Sequence, residues 1–547
     1  MDRVRGVVSC LGTVARNGDI RRVQLAWGGA ITAEWAHFVA LGVFAYDAGG
    51  SVAVGLAGLI RMLPAALIAP FASSLGDHFR RERFLLAILL IGTGALGLSA
   101  LAYFAGPSEP LIFALAGVVG VASTLIRPAQ QALLPSLAKT PEELIASNGA
   151  TSTIESLGTL VGPLLAGVLV SVADVGSVFA LGGGAFLGAA ILLVRVRVEG
   201  RIDLAEPSAT ESALNLVLAG YRAVARTARL RLTIGLIVAQ TFVRGCLNVL
   251  IVVAVFRVFD AGAGTVGYLT AAIGIGGAIG ALAAISLKGV RLATPFGLAL
   301  VFWGLPLVLL ALVPNPIVAF FLLAVVGAAN SVEDVAVFTL LQRIVPNDLL
   351  TRVLGVLWGL AMGAVAIGSI FAPVLVSTLG PRPAFAAAGI VLPVLVAILW
   401  PRLVEIDRTF TVPAAELALL EQVHIFEPLS LAAKEQIAAE LVSVSVPAGE
   451  IVIRAGEEGD RFYVVAGGEL EVVADGLRRE VGPGGYFGEI ALVRDMPRTA
   501  TVTATVDSRL FALGREAFLR AITGRQSMQA ARSVVETRLA AGGATPG

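Results

Sequence analysis

The sequence predicts an all-α bundle of twelve membrane-spanning helices in two six-helix halves. A water-soluble α+β domain with a β jelly roll follows it. Three observations predict this. The 547 residues are 57% hydrophobic and only 14% charged, with mean hydropathy +0.87, whereas soluble domains carry about 25% charged residues. The charge is also uneven. Residues 416–540 hold 18 Asp+Glu and 13 Lys+Arg, and the other 422 positions hold 21 and 27. Near 416 the pattern changes too, from long apolar runs to short alternating strands.

This balance excludes a wholly soluble chain, because so much apolar surface would face water. With a net charge of +1, it also excludes a nucleic-acid binder driven by bulk positive charge. The 62 glycines suit a bundle in which small residues let helices approach closely. Cys10 and Cys246 lie far apart and show no disulfide pattern. The apolar run 6–15 is too short for a signal-peptide core, and Arg16, Arg21 and Arg22 follow it.

A span needs roughly 20 apolar residues. Twelve runs qualify: 24–46, 51–73, 84–105, 110–131, 149–171, 176–194, 232–256, 264–287, 295–313, 316–338, 353–379 and 383–400. Turn signals such as YDAGGS, AGPSEP, VPNP and LGPRP separate them. With a cytoplasmic N-terminus, twenty Lys and Arg residues fall on the inside, and only Arg257 and Arg382 fall outside. That asymmetry orients a multi-pass protein of the plasma (inner) membrane, and an even span count leaves the C-terminal domain in the cytoplasm. The predicted domains are an N-terminal half (1–194), a cytoplasmic linker (195–231), a C-terminal half (232–400), a short linker (401–415), the soluble domain (416–540) and a tail (541–547).

The halves echo each other. RPAQQALLPSL, EELIASN and VGPLLAGVLV correspond to LLQRIVPNDLLTRVLG and FAPVLVSTLG, with Pro135 to Pro163 matching Pro346 to Pro373. Internal repeats are typical of secondary transporters. After the second span comes SSLGDHFRRERF. Over residues 20–400 the chain resembles the major facilitator superfamily, most sharply at this loop. Asp77, Arg81 and Arg83 match the family pattern, while Ser73 and Arg80 stand where glycines are usual. The resemblance is to drug- and siderophore-exporting branches and implies a loop that helps gate the cytoplasmic face. The alternative is that these arginines only anchor the loop inside.

Ionisable residues at membrane depth usually face a cavity or a partner. The transport and coupling candidates are Glu34, His37, Arg61, Arg127, Gln240, Arg244 and Asn248. Glu34 and His37, three apart on one helix face, are the residue types for proton exchange, and Glu34 is the leading coupling candidate. The alternative is a buried Glu34–Arg pair that only holds helices together. Arg61 and Arg244 either pair with such acids or attract an anionic substrate. Gln240, Arg244 and Asn248 recur every four residues, lining a pore or bonding across helices. Glu155, Glu333 and Asp334, nearer the cytoplasmic ends, join Asp77, Arg81 and Arg83 as gate candidates. GIGGAIG at 274–280 looks like a dinucleotide loop, but no strand precedes it and close helix packing explains it better.

In the tail, amphipathic helices lead into strands separated by glycine turns, ending in FGEIALVRDMPRTATV at 487–502. Gly488 opens a short helix whose backbone N–H groups favour an anion. Arg498 supplies charged donors for phosphate oxygens. This string matches the phosphate-binding cassette of cyclic nucleotide-binding domains, and AGE, GEEGDRFYVV and GGELEV match that family upstream. The resemblance implies ligand contacts from Phe487, Gly488, Glu489, Ile490, Ala491, Arg498, Thr499 and Ala500, with Glu489 on the ribose 2′-hydroxyl. It also implies a lid helix near Val534, Val535, Arg538 and Leu539. The expected ligand is cyclic AMP, with cyclic GMP the alternative. A degenerate barrel that binds nothing is the bland reading, but such barrels usually lose the arginine or the glutamate.

Together these features predict a secondary transporter of a small molecule, in the efflux direction, regulated by cyclic nucleotide. Three alternatives stand beside it: a non-transporting receptor or scaffold, a cyclic nucleotide exporter, and a lysolipid flippase. No catalytic site, metal site, cofactor or nucleic-acid partner is expected, and with no P-loop neither is ATP-driven pumping. The sequence leaves oligomeric state open.

Overall fold

A computed structural model describes residues 16–68, 80–106, 108–138, 140–196, 213–284, 291–345, 347–409, 414–429, 431–474, 477–522, 528 and 532–536. Asp77, Arg538, Leu539 and the 541–547 tail lie outside them. The chain forms two compact units, one of membrane helices through Ile406 and one beginning at Asp407.

The first unit is built from α1 (Gly18–Ile68), α2 (Arg81–Phe104), α3 (Glu109–Leu137), α4 (Pro141–Val172), α5 (Val175–Val194), α6 (Ala213–Arg226), α7 (Ala228–Arg257), α8 (Gly264–Ala284), α9 (Ala293–Leu312), α10 (Pro316–Ile344), α11 (Asn347–Leu379) and α12 (Pro381–Thr409). Eleven of these are long and apolar enough to cross a membrane. The first holds two of the expected spans. Its 51 residues break at Gly49 and at Gly50, whose φ of +60° and ψ of −148° suit glycine alone. The YDAGGS turn is therefore a kink between two spans and not an open loop.

The other boundaries follow local chemistry. Asp174 Oδ1 accepts from Ser177 N at 2.7 Å, and Asn315 Oδ1 accepts from Ile317 N at 2.8 Å. Both cap first-turn donors that lack helical partners. Pro141 and Pro316 start their helices, where a missing N–H costs nothing. Gly380, at φ +86°, ends α11, and Pro381 opens α12. Several helices outrun the apolar windows. RPAQQALLPSL lies within α3, EELIASN within α4, and part of 401–415 within α12. The amphipathic segment before span seven is α6, which packs on α11 where Gly220 meets the Arg352 carbonyl.

Both halves lie in this unit. They meet tightly at the end where α1 breaks. The Tyr46 and Phe256 rings stack at 4.4 Å. A Cβ on Gly167 would lie 2.8 Å from the Gly264 carbonyl, and one on Gly55 would lie 2.5 Å from the Ser369 carbonyl. So α4 lies against α8, and the second span against α11, with backbones almost touching, as small residues permit. Away from these seams Leu67, Leu101, Phe104, Val172 and Ile317 stay exposed, an apolar exterior suited to lipid.

The second unit opens with α13 (Ala414–Leu420), a 3-10 turn (His424–Phe426) and α14 (Leu431–Glu440). Its strands are β1 (Val442–Val446), β2 (Ile451–Ile453), β3 (Arg461–Gly467), β4 (Leu470–Ala474), β5 (Leu477–Val481), β6 (Tyr486–Phe487), β7 (Thr501–Ala504) and β8 (Ser508–Gly514). Helix α15 (Glu489–Arg494) interrupts them, and α16 (Arg515–Ala521) follows. They form two antiparallel four-stranded sheets, β1-β8-β3-β6 and β2-β7-β4-β5. Between them lie Val446, Val465, Leu470, Val502 and Leu510. A second cluster joins the helices to β3, where Phe462 stacks on Phe518 at 4.8 Å and meets Phe426 edge-on at 5.5 Å. Phe462→Ala is expected to cost ~3–5 kcal/mol, the range for emptying a buried aromatic site. Hydrogen exchange of the full-length protein should show faster exchange across 442–514 than wild type, and unchanged protection would contradict this.

Candidate functional sites

In the soluble unit the sites converge on α15. Gly488 takes φ +92°, turning the chain from β6 into the helix. A Cβ there would lie 2.7 Å from Arg498 Nη1 and 3.0 Å from the Arg461 carbonyl, so only glycine fits. Arg498 is 4% exposed. Its Nη1 donates to the Gly488 carbonyl at 3.1 Å, and its Nη2 donates to the Arg461 carbonyl at 2.8 Å and to Asp460 Oδ1 at 3.4 Å. Its backbone is pinned as well: Arg498 N donates to the Glu457 carbonyl, and Gly456 N donates to the Arg498 carbonyl, both at 2.8 Å. Burial pulls this guanidinium below its ordinary pKa, and Tyr463 and Asp460 oppose that pull. An arginine with its charge kept and its head buried carries the planar, charged donors that anions pair with.

Around it the other expected contacts gather. Glu489 and Ala491 are buried, Ile490, Thr499 and Ala500 are half-buried, and Phe487 stacks on Tyr463 at 5.1 Å. Val534 and Val535 lie in the helical stretch 532–536, with Val535 buried. Sequence reasoning missed Asp460 and Tyr463. Both lie in GEEGDRFYVV, read as a strand-and-turn pattern with no role for single side chains.

In the bundle a cavity of about 220 Å³ is lined from both halves. Arg61, Arg244 and Asn248 are on its wall, with Trp35, Phe38, Trp303, Asn330 and Ser331. Arg61 Nη2 donates to Glu34 Oε1 at 3.0 Å, and its guanidinium lies 5.3 Å from the Phe38 ring centre. Glu34 thus has the arginine partner weighed for it. His37 points elsewhere. It is 1% exposed, beside the Phe179 ring at 5.4 Å.

Arg127 pairs with Glu155 at 3.0 Å, tying α3 to α4. Gln240 is buried and reaches Asn330 Oδ1 at 3.5 Å. Asn330 Oδ1 also accepts from Trp303 Nε1 at 3.3 Å, and its Nδ2 donates to Asp334 Oδ2 at 2.9 Å. Glu333 is 3% exposed. Arg81 donates to the Ala132 carbonyl at 2.8 Å, and Arg83 is exposed. Among the described residues no cluster could hold a metal ion. Trp35, Trp303 and Asn330 were not singled out from sequence. The signal available was an amide inside an apolar span.

A family model described as Major Facilitator Superfamily matches residues 26–364, and one described as Cyclic nucleotide-binding domain matches 443–524. Over 177 residues the chain is 33% identical to the cAMP-dependent protein kinase regulatory subunit of Emericella nidulans, covering 29% of this chain and 43% of that one. The Aspergillus niger protein of the same name is 32% identical over 171 residues, covering 30% and 41%. The chain thus spans less than half the length of these relatives. A solved structure described as "Sp-2Cl-cAMPS bound to PKAR CBD2" is 28% identical and covers 23% of this chain and 89% of that one, with TM-score 0.22.

Two outcomes test these geometries. Gly488→Ala adds a Cβ against the guanidinium at a left-handed φ, a strain of ~1–3 kcal/mol. It is expected to weaken cyclic nucleotide binding by about tenfold in calorimetric titration of the full-length protein, and wild-type affinity would refute the role given to this glycine. Arg61→Gln strands Glu34. Because Glu34 is partly exposed, stability should fall toward the low end of ~3–5 kcal/mol, and Arg61→Gln with Glu34→Gln should recover most of it in detergent unfolding. Equal losses would show that the pair is uncoupled.

Proposed function

Because the chain belongs to the Major Facilitator Superfamily and carries a cyclic nucleotide-binding domain toward its C-terminal end, we propose that it is a secondary transporter exporting a small molecule across the plasma membrane, with its rate set by cyclic AMP. The observation that carries the regulatory half is Arg498, buried and held over Gly488 beside buried Glu489. The nucleotide phosphate takes the guanidinium donors now given to backbone carbonyls, and Glu489 accepts from the ribose 2′-hydroxyl. The helical stretch containing Val534 and Val535 covers the base, with Arg538 and Leu539, outside the described residues, as further lid residues.

The transport half is supported by a cavity walled from both halves and by their close packing at one end. Alternating access separates that end and brings the other together. The positive-inside asymmetry supports a cytoplasmic N-terminus and a cytoplasmic C-terminal domain. Asp77, Arg81 and Arg83, with Glu155, Glu333 and Asp334, then serve the inner gate. Glu34 couples flux to protons by exchanging its Arg61 partner for a proton. Cyclic AMP changes the rate to the extent that it binds one transporter conformation more tightly than the other.

The test is flux of a substrate panel into inverted vesicles, with and without cyclic AMP, for wild type and Arg498→Ala. Loss of a buried charged donor costs ~2–5 kcal/mol, so Arg498→Ala should need at least ~30-fold more nucleotide for the same response. Flux indifferent to cyclic AMP, or an unchanged response in Arg498→Ala, would defeat the regulatory reading. Glu34→Gln should abolish flux driven by a pH gradient, and retained pH-driven flux would remove Glu34 from coupling.

A further inference from the structure

We propose that the central cavity of the bundle recognises an amphipathic organic anion, a small apolar or aromatic body bearing one carboxylate or phosphate, and that Arg244 is the group that receives the charge. For the term cargo, this rests on the transporter reading above. The binding site itself stands on the geometry of the cavity.

Among the described residues the wall carries two guanidiniums, Arg61 from one half and Arg244 from the other, and no Asp or Glu. Arg61 is already answered by Glu34 at 3.0 Å and by the Phe38 ring. Arg244 is not. Among the described residues it makes no hydrogen bond and no ion pair within 4.0 Å. Its field reaches Glu333 and Asp334, but neither pairs with it within 4.0 Å among the described residues, and Asp334 accepts from Asn330 instead.

A guanidinium in the middle of a span, always charged and with five donors unspent, is costly unless something brings it an acceptor. A planar fork suits a carboxylate or phosphate. Asn248, one helical turn on from Arg244, is on the same wall and offers a further donor. The remaining surface is mainly apolar, with Trp35, Phe38 and Trp303 as its rings. Such a wall takes up the uncharged body of a ligand. At about 220 Å³ the space suits one small organic acid.

The experiment uses the full chain in nanodiscs and four probes of one shape: phenylbutanoate, phenylbutyl phosphate, phenylbutanamide and phenylbutylamine. Calorimetry should find one or both anions bound at least ~10-fold more tightly than the amide and the amine, a difference of about 1.4 kcal/mol. The two anions separate carboxylate from phosphate recognition. Arg244→Gln should erase the preference and Arg244→Lys should keep part of it. If Arg244→Gln does not fold, Asn248→Ala and Arg244→Lys carry the comparison, each expected to narrow the gap. Equal binding of amide or amine, a preference that survives in Arg244→Gln, or no binding by any probe would overturn the proposal. Vesicle flux of labelled phenylbutanoate is a separate arm. Binding without flux would keep the anion site and remove the transport reading.

Discussion

A guanidinium cannot shed its charge at physiological pH, so each arginine removed from water must be answered by acceptors. The architecture of both units turns on how this is done. In the bundle buried Arg61 is answered by Glu34 across the kink between the first two spans, and the more exposed Arg127 pairs with Glu155 across α3 and α4. In the soluble unit Arg498 is answered by two backbone carbonyls and Asp460. The first two are closed pairs. The third shares its donors between neutral carbonyls and one exposed carboxylate.

Glycine is what brings these partners within reach. Gly488 lets the Arg498 head lie against the chain that turns into α15, and Gly50 lets the first helix reverse its course between spans. At the inter-half seams Gly167, Gly264 and Gly55 replace side-chain packing with backbone contact. In lipid the hydrophobic effect does not drive helices together, so close approach must do it. Glycine is therefore a packing device here, used between α4 and α8 and between the second span and α11, and equally where α8 meets α10 and α7 meets α11.

Much of this was legible in advance. The twelve runs followed from apolar length, since a bilayer imposes one length on every span. The packing of Arg498 on Gly488 was legible because it is local: Gly488, Glu489 and Arg498 lie within eleven consecutive residues. Side-chain direction was less legible. Glu34 and His37, three apart, read as one face, yet one meets Arg61 and the other is packed against Phe179. A spacing rule places residues on a helix but does not say which neighbour each side meets. Asp460 escaped notice because its role depends on β3 lying beside the cassette, 38 positions away in sequence.

Composition and periodicity by themselves determined that this chain has two solvents, a series of membrane-length apolar helices and a soluble domain of short strands. Those properties are sums over local free energies of transfer and local turn geometry, so no long-range contact is needed to read them. Only the tertiary structure decided which arginines are neutralised and which one faces the cavity with no partner among the described residues. That distinction depends on distances of about 3–4 Å between helices remote in sequence, and the Coulomb and hydrogen-bond terms that separate a closed pair from an open site vary steeply over such distances.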